Sequence, residues 1–416
     1  MSRETQRKFS TTPGTRDVLP PESTRLLDVQ ARVLERFRMH GFREVVTPAL
    51  EYAEVVDEPK LRDASFKLFD PDNQTLVLRP EMTTPIARLV VQRLRNSPPP
   101  HKLSYSLPVY RRANVGRGQS AEFHQAGVEV VGSPSPGEDA GAISLLVDAL
   151  ESLGLRAPED FVVVLGQTAF YEGYLRSEAP EAAQELLTAL AAKDLVRVDE
   201  LSALFPAEVS DGVRGIPRLV GPATDGSVLE TAARYAERST DAGAALENLR
   251  EILAHLEAYG RLGAVMLDLG LIGRRNYYTG AVYEAYASGL GFTVANGGRY
   301  DNLLRRFGKE MPATGFAIYL ERLLSALPAK EQPPLLVLVG GDLGGVEAAA
   351  ELRDAGVPVL HLSEDLPPEA AAEYARSVEA AWISYPSEGG VKLATVDPPG
   401  EFVFMDAGSV AETVLS

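Results

Sequence analysis

The 416-residue chain contains no cysteine. This absence excludes disulfides, thiolate metal sites and thiol catalysis. Only five histidines are available as nitrogen ligands, and because they are scattered we expect no metal site. No stretch approaches the roughly 20 uninterrupted apolar residues that span a bilayer, and residues 1–5 lack the apolar core of a secretory signal. We therefore expect a cytoplasmic protein that does not enter a membrane.

Positive charge is also scarce, since 41 Lys and Arg stand against 58 Asp and Glu for a net charge of −17. RNA-binding proteins typically cluster Lys and Arg, because each neutralised phosphate releases counterions and so favours binding. From residue 334 onward, Arg353, Arg376 and Lys392 are outnumbered by fourteen acidic residues. Such a surface opposes an RNA backbone, and we expect no tRNA partner.

The hydrophobic pattern indicates where helices and strands lie. Apolar residues at helical spacing predict a first helix that ends before Gly41, namely Leu26, Val29, Val33, Leu34 and Phe37. A strand at Val45 and Val46 is expected to follow. The Ala-, Leu- and Glu-rich stretch at about 170–260 predicts a helical insertion between strands at 161–165 and 265–267.

A proline-rich segment at 327–334 predicts a linker. Beyond it, the pattern predicts strands at 335–339 and 357–362 and helices at 346–355 and 368–380, the mark of a small α/β domain. With 45% hydrophobic residues, the chain is long enough for more than one core. We predict two domains, a core over 1–330 that contains the insertion and a C-terminal domain over 334–416.

Three motifs carry the chemical information. They are LRPEMT at 78–83, RRANVGRGQSAEFHQ at 111–125 and GRRNYY at 273–278. The first resembles the amino-acid-binding loop of the histidyl-tRNA synthetase family, the second resembles its catalytic strand-loop-strand, and the third its histidine-specific loop. The run NGGRYD at 296–301 resembles a further histidine-specific motif and is interpreted as a pocket wall rather than a phosphate-binding loop, because no Lys-Ser or Lys-Thr follows it.

The resemblance covers roughly residues 10–325 and implies an α+β fold. In this fold, an antiparallel sheet like that of class II aminoacyl-tRNA synthetases forms the core, with the helical insertion attached to it. The small C-terminal α/β domain is similar to a degenerate anticodon-binding domain. A homodimer through the core is implied as well.

The residues that hold the amino acid in this family are kept. Free histidine presents an ammonium, a carboxylate and an imidazole, so a specific pocket needs an anion, a donor and an acceptor. The resemblance implies that Glu81 and Thr83 bind the ammonium and Gln125 the carboxylate. It assigns the imidazole to Glu129 and Tyr278. The predicted histidine-binding residues are Glu81, Thr83, Arg111, Gln125, Glu129, Tyr277 and Tyr278.

The residues that handle ATP are largely lost. Adenylation brings two anions together, so the enzyme must supply cations at the developing charge. Arg111 matches the arginine of the family motif, but neighbouring positions that carry Glu or Arg in synthetases hold Ala113, Asn114, Ala121 and Gly273. Each lost donor costs roughly 3–4 kcal/mol of transition-state stabilisation.

The last family motif contains a steric change. Tyr319 stands where synthetases keep a glycine that leaves room for adenine, while Arg322 is retained. The tyrosine ring is expected to fill the adenine slot. A histidine pocket therefore remains without the adenylation machinery.

This combination is similar to the synthetase-like regulatory subunits of ATP phosphoribosyltransferase, the first enzyme of histidine biosynthesis. The resemblance implies no catalytic residue, no cofactor, a hetero-oligomer with the short catalytic chain, and histidine as the effector. Three alternatives stay open. They are an active synthetase in which Arg274 or Arg275 replaces the missing arginine, a histidine sensor with another partner, and a structural dimer with a decayed pocket.

Overall fold

The computed structural model describes residues 10–56, 58–112, 120–273, 278–328 and 334–415. The chain divides into two compact units, a first unit at Met1–Leu327 and a second unit at Pro328–Ser416. Within the described ranges, no helix combines the length and the apolar character that a bilayer crossing requires. Nor do three or more His, Asp or Glu side chains in these ranges come together as metal ligands would.

The first unit contains both strands and helices. Its strands are β1 (Arg43–Glu44), β2 (Leu50–Tyr52), β3 (Lys67–Phe69), β4 (Thr75–Leu78), β5 (His101–Tyr110), β6 (Glu122–Val131), β7 (Phe161–Gln167), β8 (Val220–Pro222), β9 (Val265–Asp268), β10 (Ala281–Ala287), β11 (Thr293–Arg299) and β12 (Ala313–Tyr319). Its helices are α1 (Glu22–Met39), α2 (Pro59–Asp63), α3 (Thr83–Arg93), α4 (Pro136–Ser152), α5 (Thr168–Glu178), α6 (Ala183–Ala191), α7 (Leu195–Ser202), α8 (Ala207–Gly215), α9 (Ser227–Ala236), α10 (Thr240–Ala258) and α11 (Leu320–Ala326).

A large sheet forms the centre of the first unit. Among the described residues it has nine strands in the order β1-β5-β6-β12-β11-β10-β7-β9-β8. The β1–β5 and β7–β9 pairs are parallel, whereas the six other pairs are antiparallel. Strands β2, β4 and β3 form a separate antiparallel sheet. This architecture agrees with the predicted antiparallel core.

Helix α1 follows the predicted periodicity, since its buried residues Leu26, Val29, Val33 and Phe37 all pack into the main hydrophobic core. The strand after it lies at Arg43–Glu44, so the prediction of a strand at Val45 and Val46 is wrong in position. The reason is that only Arg43 and Glu44 pair with β5. The last hydrogen bond to that strand is from Val45 N to Ser104 O, at 2.8 Å. The Val46 side chain is exposed.

Between β7 and β9 the chain forms helices α5 to α10, with the short β8 at the edge of the sheet. Apolar side chains from these helices, such as Leu186, Leu201 and Leu249, are buried in the same core as the sheet. The region is therefore a helical extension of the first unit and shares its hydrophobic core.

Helix α4 covers one face of the large sheet and begins with local signals typical of helix N-termini. The Ser135 hydroxyl accepts a hydrogen bond from Gly137 N at 3.2 Å, and Pro136 occupies the first helical position. Glu138 and Asp139 in the first turn complement the helix dipole. This start places Asp139 inside the core, at the end of the sheet where β11 finishes.

The second unit is a small α/β structure. It contains β13 (Leu336–Val339), α12 (Leu343–Asp354), β14 (Val359–Leu362), α13 (Pro368–Ser377), β15 (Trp382–Ser387), β16 (Gly390–Thr395), β17 (Val403–Met405) and α14 (Ala407–Leu415). Its sheet has the order β14-β13-β15-β16-β17. Alternate residues of β13 point to opposite faces, so Leu336 and Leu338 pack against α12 and α14 while Val337 and Val339 pack against α13.

Candidate functional site

Because side chains alternate along β6, two polar side chains lie on the face of the large sheet that is opposite the main core. Ala126, Val128 and Val130 point into the main core, so Gln125 and Glu129 point the other way. Both are only 1% exposed, because the neighbouring strands and the segments above the sheet cover them. The register places Gly315 opposite Glu129.

Glycines on this face make room for larger neighbours. A Cβ atom on Gly315 would lie 2.2 Å from Glu129 Oε2, and one on Gly127 would lie 2.5 Å from the hydroxyl of Tyr105. A side chain at either position would displace the functional groups beside it. The two glycines therefore leave the space that the Glu129 and Tyr105 side chains occupy in the site.

One pocket collects these side chains. It is lined by Glu81, Thr83, Tyr105, Gln125, Glu129, Tyr278, Asn296, Tyr300, Gly315, Phe316 and Ala317. The free space among them is about 10 Å³, close to the roughly 10–15 Å³ that a single water needs. A ligand as large as an amino acid therefore enters only if side chains of the wall move.

Five of the predicted site residues meet in this pocket, namely Glu81, Thr83, Gln125, Glu129 and Tyr278. Arg111 does not line it. Its Nε donates to Pro80 O at 2.7 Å, and its guanidinium lies over the Phe123 ring at 5.2 Å. Arg111 thus holds the loop that carries Glu81, and its contact with histidine stays a prediction. Tyr277 lies outside the described residues.

Glu81 is held at the start of α3. Its carboxylate accepts hydrogen bonds from Thr83 N at 2.8 Å and Thr84 N at 2.9 Å, two amides of the first helical turn. The preceding Arg79 is buried and donates to Pro108 O at 2.8 Å and Thr47 O at 2.6 Å. Burial lowers the pKa of Arg79 below its ordinary value. The loop is therefore fixed from both sides, with the Glu81 carboxylate in the pocket wall.

Gln125 has the clearest unmet bonding capacity in the pocket. Neither its amide nitrogen nor its amide oxygen has a hydrogen-bond partner among the described residues, although the side chain is 99% buried. Leaving a buried polar group unsatisfied costs about 1–3 kcal/mol. A buried amide of this kind points to a polar ligand.

The Tyr300 hydroxyl donates a hydrogen bond to Glu129 Oε2. Glu129 is the residue whose carboxylate was predicted to accept a hydrogen bond from the imidazole of the ligand. Tyr300 and Asn296 both belong to the run at 296–301 that was interpreted as a pocket wall, with no individual role for either residue. Tyr105 also lines the pocket and was not singled out. The signal that finds Tyr105 is strand register, since it lies opposite Gly127 of β6.

A buried ion pair lies beneath Tyr300. The neighbouring Arg299 places Nε and Nη2 each 2.8 Å from Asp139 Oδ2, and the two side chains are 7% and 0% exposed. Arg299 also donates to Ser133 O at 3.1 Å and Ser135 O at 3.2 Å. Burial raises the pKa of Asp139, and the positive charge of Arg299 offsets only part of that effect. The pair anchors the end of β11 to the start of α4.

Tyr283 supports the floor of the pocket from the core side. Its hydroxyl donates to Gly315 O at 3.1 Å. Complete burial, followed by the nearby charges of Asp139 and Glu129, raises the pKa of Tyr283 well above its ordinary value. The phenol therefore stays protonated and keeps this donor role.

His124 next to Gln125 ties β6 to α11. Its backbone N and its Nδ1 both lie 2.9 Å from Glu321 Oε1. The hydrogen bond with Glu321 raises the pKa of His124 above its ordinary value, against the effect of burial. This contact fixes the strand at the point where Gln125 enters the pocket.

The slot expected to hold adenine is filled by side chains. The Tyr319 ring lies 5.9 Å from the Phe123 ring, and the Arg322 guanidinium lies 4.4 Å from the Tyr319 ring centre. The Tyr319 hydroxyl donates to Asn296 Oδ1 at 3.0 Å, and the ring is 7% exposed. The ring of Tyr319 is thus held between neighbouring side chains at the position where synthetases keep a glycine.

The positions that differ from the synthetase motifs, and the two arginines that could compensate for them, fall partly within the described residues. Ala121 is buried, and its backbone N donates to Gly14 O at 2.7 Å. Gly273 lies against the Tyr278 ring. Ala113, Asn114, Arg274 and Arg275 lie outside the described residues.

Comparison with known proteins gives a consistent result. The sequence profile of the family described as histidyl-tRNA synthetase matches residues 14–323. The chain is 73% identical over 400 residues to the ATP phosphoribosyltransferase regulatory subunit of Rubrobacter xylanophilus, with 96% of each chain covered.

Solved structures show the same relationship. A crystal structure described as an ATP phosphoribosyltransferase regulatory subunit/histidyl-tRNA synthetase from Bacillus halodurans superposes with a TM-score of 0.79 at 29% identity, covering 91% of this chain and 98% of the other. Histidyl-tRNA synthetase from Nostoc gives a TM-score of 0.81 at 21% identity, covering 98% of both chains, and so shares the fold. The predicted α+β class II synthetase-like fold is confirmed.

Proposed function

This chain belongs to the histidyl-tRNA synthetase family and, within it, to the ATP phosphoribosyltransferase regulatory subunits, and on that basis we propose that it regulates a catalytic ATP phosphoribosyltransferase chain by binding histidine. In this proposal the chain has no catalytic residue of its own. It forms a hetero-oligomer with the short catalytic subunit, which requires it for activity. Histidine, the end product of the pathway, is the effector.

The observation that supports this proposal best is the convergence of two carboxylates and an unsatisfied amide in one buried pocket. Glu81 and Glu129 bring negative charge that suits an ammonium and a ring N–H. The Gln125 amide, without a partner among the described residues, offers a donor for a carboxylate. Free histidine carries all three groups, and we assign Thr83 to the ammonium and Tyr278 to the imidazole.

The Tyr300 hydroxyl donates to one oxygen of Glu129 in the closed pocket. In this proposal, histidine binding moves Tyr300, because the imidazole takes space beside the carboxylate that the pocket does not leave free. The residue directly before Tyr300, Arg299, is anchored to α4 through Asp139. Arg299 is therefore expected to stay in place when Tyr300 moves. The movement is then transmitted to the residues that follow Tyr300 in the chain.

The chain is expected not to adenylate histidine. Tyr319 packs in the adenine slot, and Gly273 and Ala121 offer no cation where synthetases carry arginine. The measurement is histidine-dependent ATP–pyrophosphate exchange with the purified chain, beside an active histidyl-tRNA synthetase as positive control. Exchange above the level without histidine would contradict the noncatalytic role and favour an active synthetase.

Histidine inhibition of the reconstituted complex is expected to depend on Glu129. The effector pocket and the chemistry lie in different chains, so inhibition requires a coupling free energy between two sites, ordinarily about 1–3 kcal/mol. The experiment mixes this chain with the short catalytic subunit and measures phosphoribosyltransferase activity across a histidine titration. We expect Glu129→Gln to activate the partner normally and to need at least tenfold more histidine for inhibition.

The exposed Glu247→Gln variant serves as control and should be inhibited like the wild type. If Glu129→Gln assembles, activates and is inhibited at the wild-type histidine concentration, this pocket is not the sensor. If the wild-type chain does not affect the catalytic subunit, the partner is another protein.

We further propose a homodimer through the first unit. Leu50 and Tyr52 on β2 share one face of the small sheet with Leu68 on β3, and these side chains are 47%, 53% and 42% exposed. An exposed apolar face of this kind is typical of protein–protein contacts. For the second unit we propose a degenerate anticodon-binding domain that binds no tRNA, and for the complex a cytoplasmic location.

A further inference from the structure

Two glycines enclose the ring of Tyr278. A Cβ atom on Gly273 would lie 2.2 Å from Cδ2 of that ring and 3.0 Å from its Cγ. A Cβ atom on Gly298 would lie 2.8 Å from Cδ1 and Cε1, on the opposite edge of the ring. Separations below 3.0 Å require something to shift. The ring therefore occupies a slot that exists only because both residues lack side chains.

From this geometry we propose that Gly273 is a positioning residue, which holds Tyr278 in the pocket by leaving its ring edge uncovered. The steric part of the proposal stands on the structure alone, whereas its effect on histidine rests on the proposed function. Synthetases pair an arginine at this position with the same tyrosine, so the requirement concerns the conformation of this chain, in which the ring lies directly against Gly273.

The ring cannot evade a new Cβ atom by a small adjustment. Displacement away from Gly273 drives the ring toward the backbone of Gly298, which flanks its other edge. The remaining escape is rotation out of the slot or movement of the backbone. Either movement shifts the Tyr278 hydroxyl relative to Glu129 and Gln125, so polar groups that must meet one ligand no longer converge.

A double-mutant cycle tests the steric claim without any ligand. We expect Gly273→Ala to lower the midpoint of urea unfolding in the wild-type background and to leave it unchanged in a Tyr278→Ala background, where the colliding ring is gone. A coupling of this kind is the signature of two residues in direct contact. Equal losses in both backgrounds, or no loss in either, would overturn the claim. If Gly273→Ala alone does not fold, recovery of folding in the double variant supports it.

Calorimetry with histidine tests the positioning role. Gly273→Ala and Gly273→Arg are expected to weaken histidine binding by at least about tenfold, which corresponds to 1.4 kcal/mol. The matched control is Gly263→Ala, because no atom lies within 4 Å of a Cβ atom at that glycine. It should bind like the wild type.

The two proposals fail in different ways. If Gly273→Ala binds histidine as tightly as the wild type, the positioning role is wrong while the proposed effector stands. If the wild-type chain binds no histidine, the proposed function is wrong, and the unfolding cycle still decides whether the ring requires Gly273.

Discussion

Asp139→Ala is expected to lower the free energy of unfolding by about 3–5 kcal/mol, because it leaves the Arg299 guanidinium buried without its carboxylate. Both side chains are almost fully covered, and Arg299 would keep only the two carbonyl contacts and the more exposed Asp301. Removing one partner of a buried ion pair destabilises a protein by far more than the intact pair stabilises it, since the remaining charge cannot regain its hydration. Urea unfolding followed by circular dichroism measures the change.

An exposed ion pair provides the control. Glu247 and Arg250 on α10 are 63% and 44% exposed, and their contact spans 3.2 Å. Glu247→Ala is expected to change the free energy of unfolding by less than about 1 kcal/mol. Comparable losses in the two variants would show that Asp139 and Arg299 do not behave as a buried pair.

Glu81→Ala is expected to weaken histidine binding by about 2–4 kcal/mol, because the ligand ammonium loses its charge-assisted partner inside a buried site. The same change removes the acceptor for Thr83 N and Thr84 N at the start of α3, which costs about 0.5–2 kcal/mol of stability in comparable helix caps. Glu81→Gln removes the charge and keeps part of the cap, since its amide oxygen can still accept from one of the two helical N–H groups. Calorimetry on both variants measures the loss.

The buried carboxylate of Glu51 offers a matched control. It pairs with Arg88 Nε at 2.9 Å and lies outside the pocket lining. Glu51→Gln is expected to reduce stability and leave histidine affinity unchanged. If both Glu81 variants bind histidine with wild-type affinity, Glu81 is not part of the histidine site.

The parts of this molecule that could be predicted from sequence are those encoded locally. The apolar spacing of α1 depends only on the turn of a helix, and the structure follows it from Leu26 to Phe37. Glu81, Gln125 and Glu129 were predicted because each belongs to a contiguous motif of a family whose fold the chain shares. Their convergence needed no further information.

The parts that could not be predicted depend on contacts between distant strands. Tyr105 enters the pocket because the register sets it opposite Gly127, and a change of one residue would have turned it to the other face. The hydrogen bond from Tyr300 to Glu129 joins residues 171 positions apart. The hydrogen bond from Arg111 Nε to the Pro80 carbonyl likewise joins two separate motifs of the sequence. No pattern along the chain reports such distances.

The packing of Tyr319 determines what it would cost to open this position to a nucleotide. The ring packs against Phe123 and Arg322, and the residue is almost fully covered. Replacing it with glycine would open a cavity of the kind that costs about 3–5 kcal/mol for a large aromatic side chain, out of a total stability of about 5–15 kcal/mol for a typical domain. A variant engineered to bind ATP at this position is therefore expected to be less stable than the wild type, and it would need compensating substitutions elsewhere in the core.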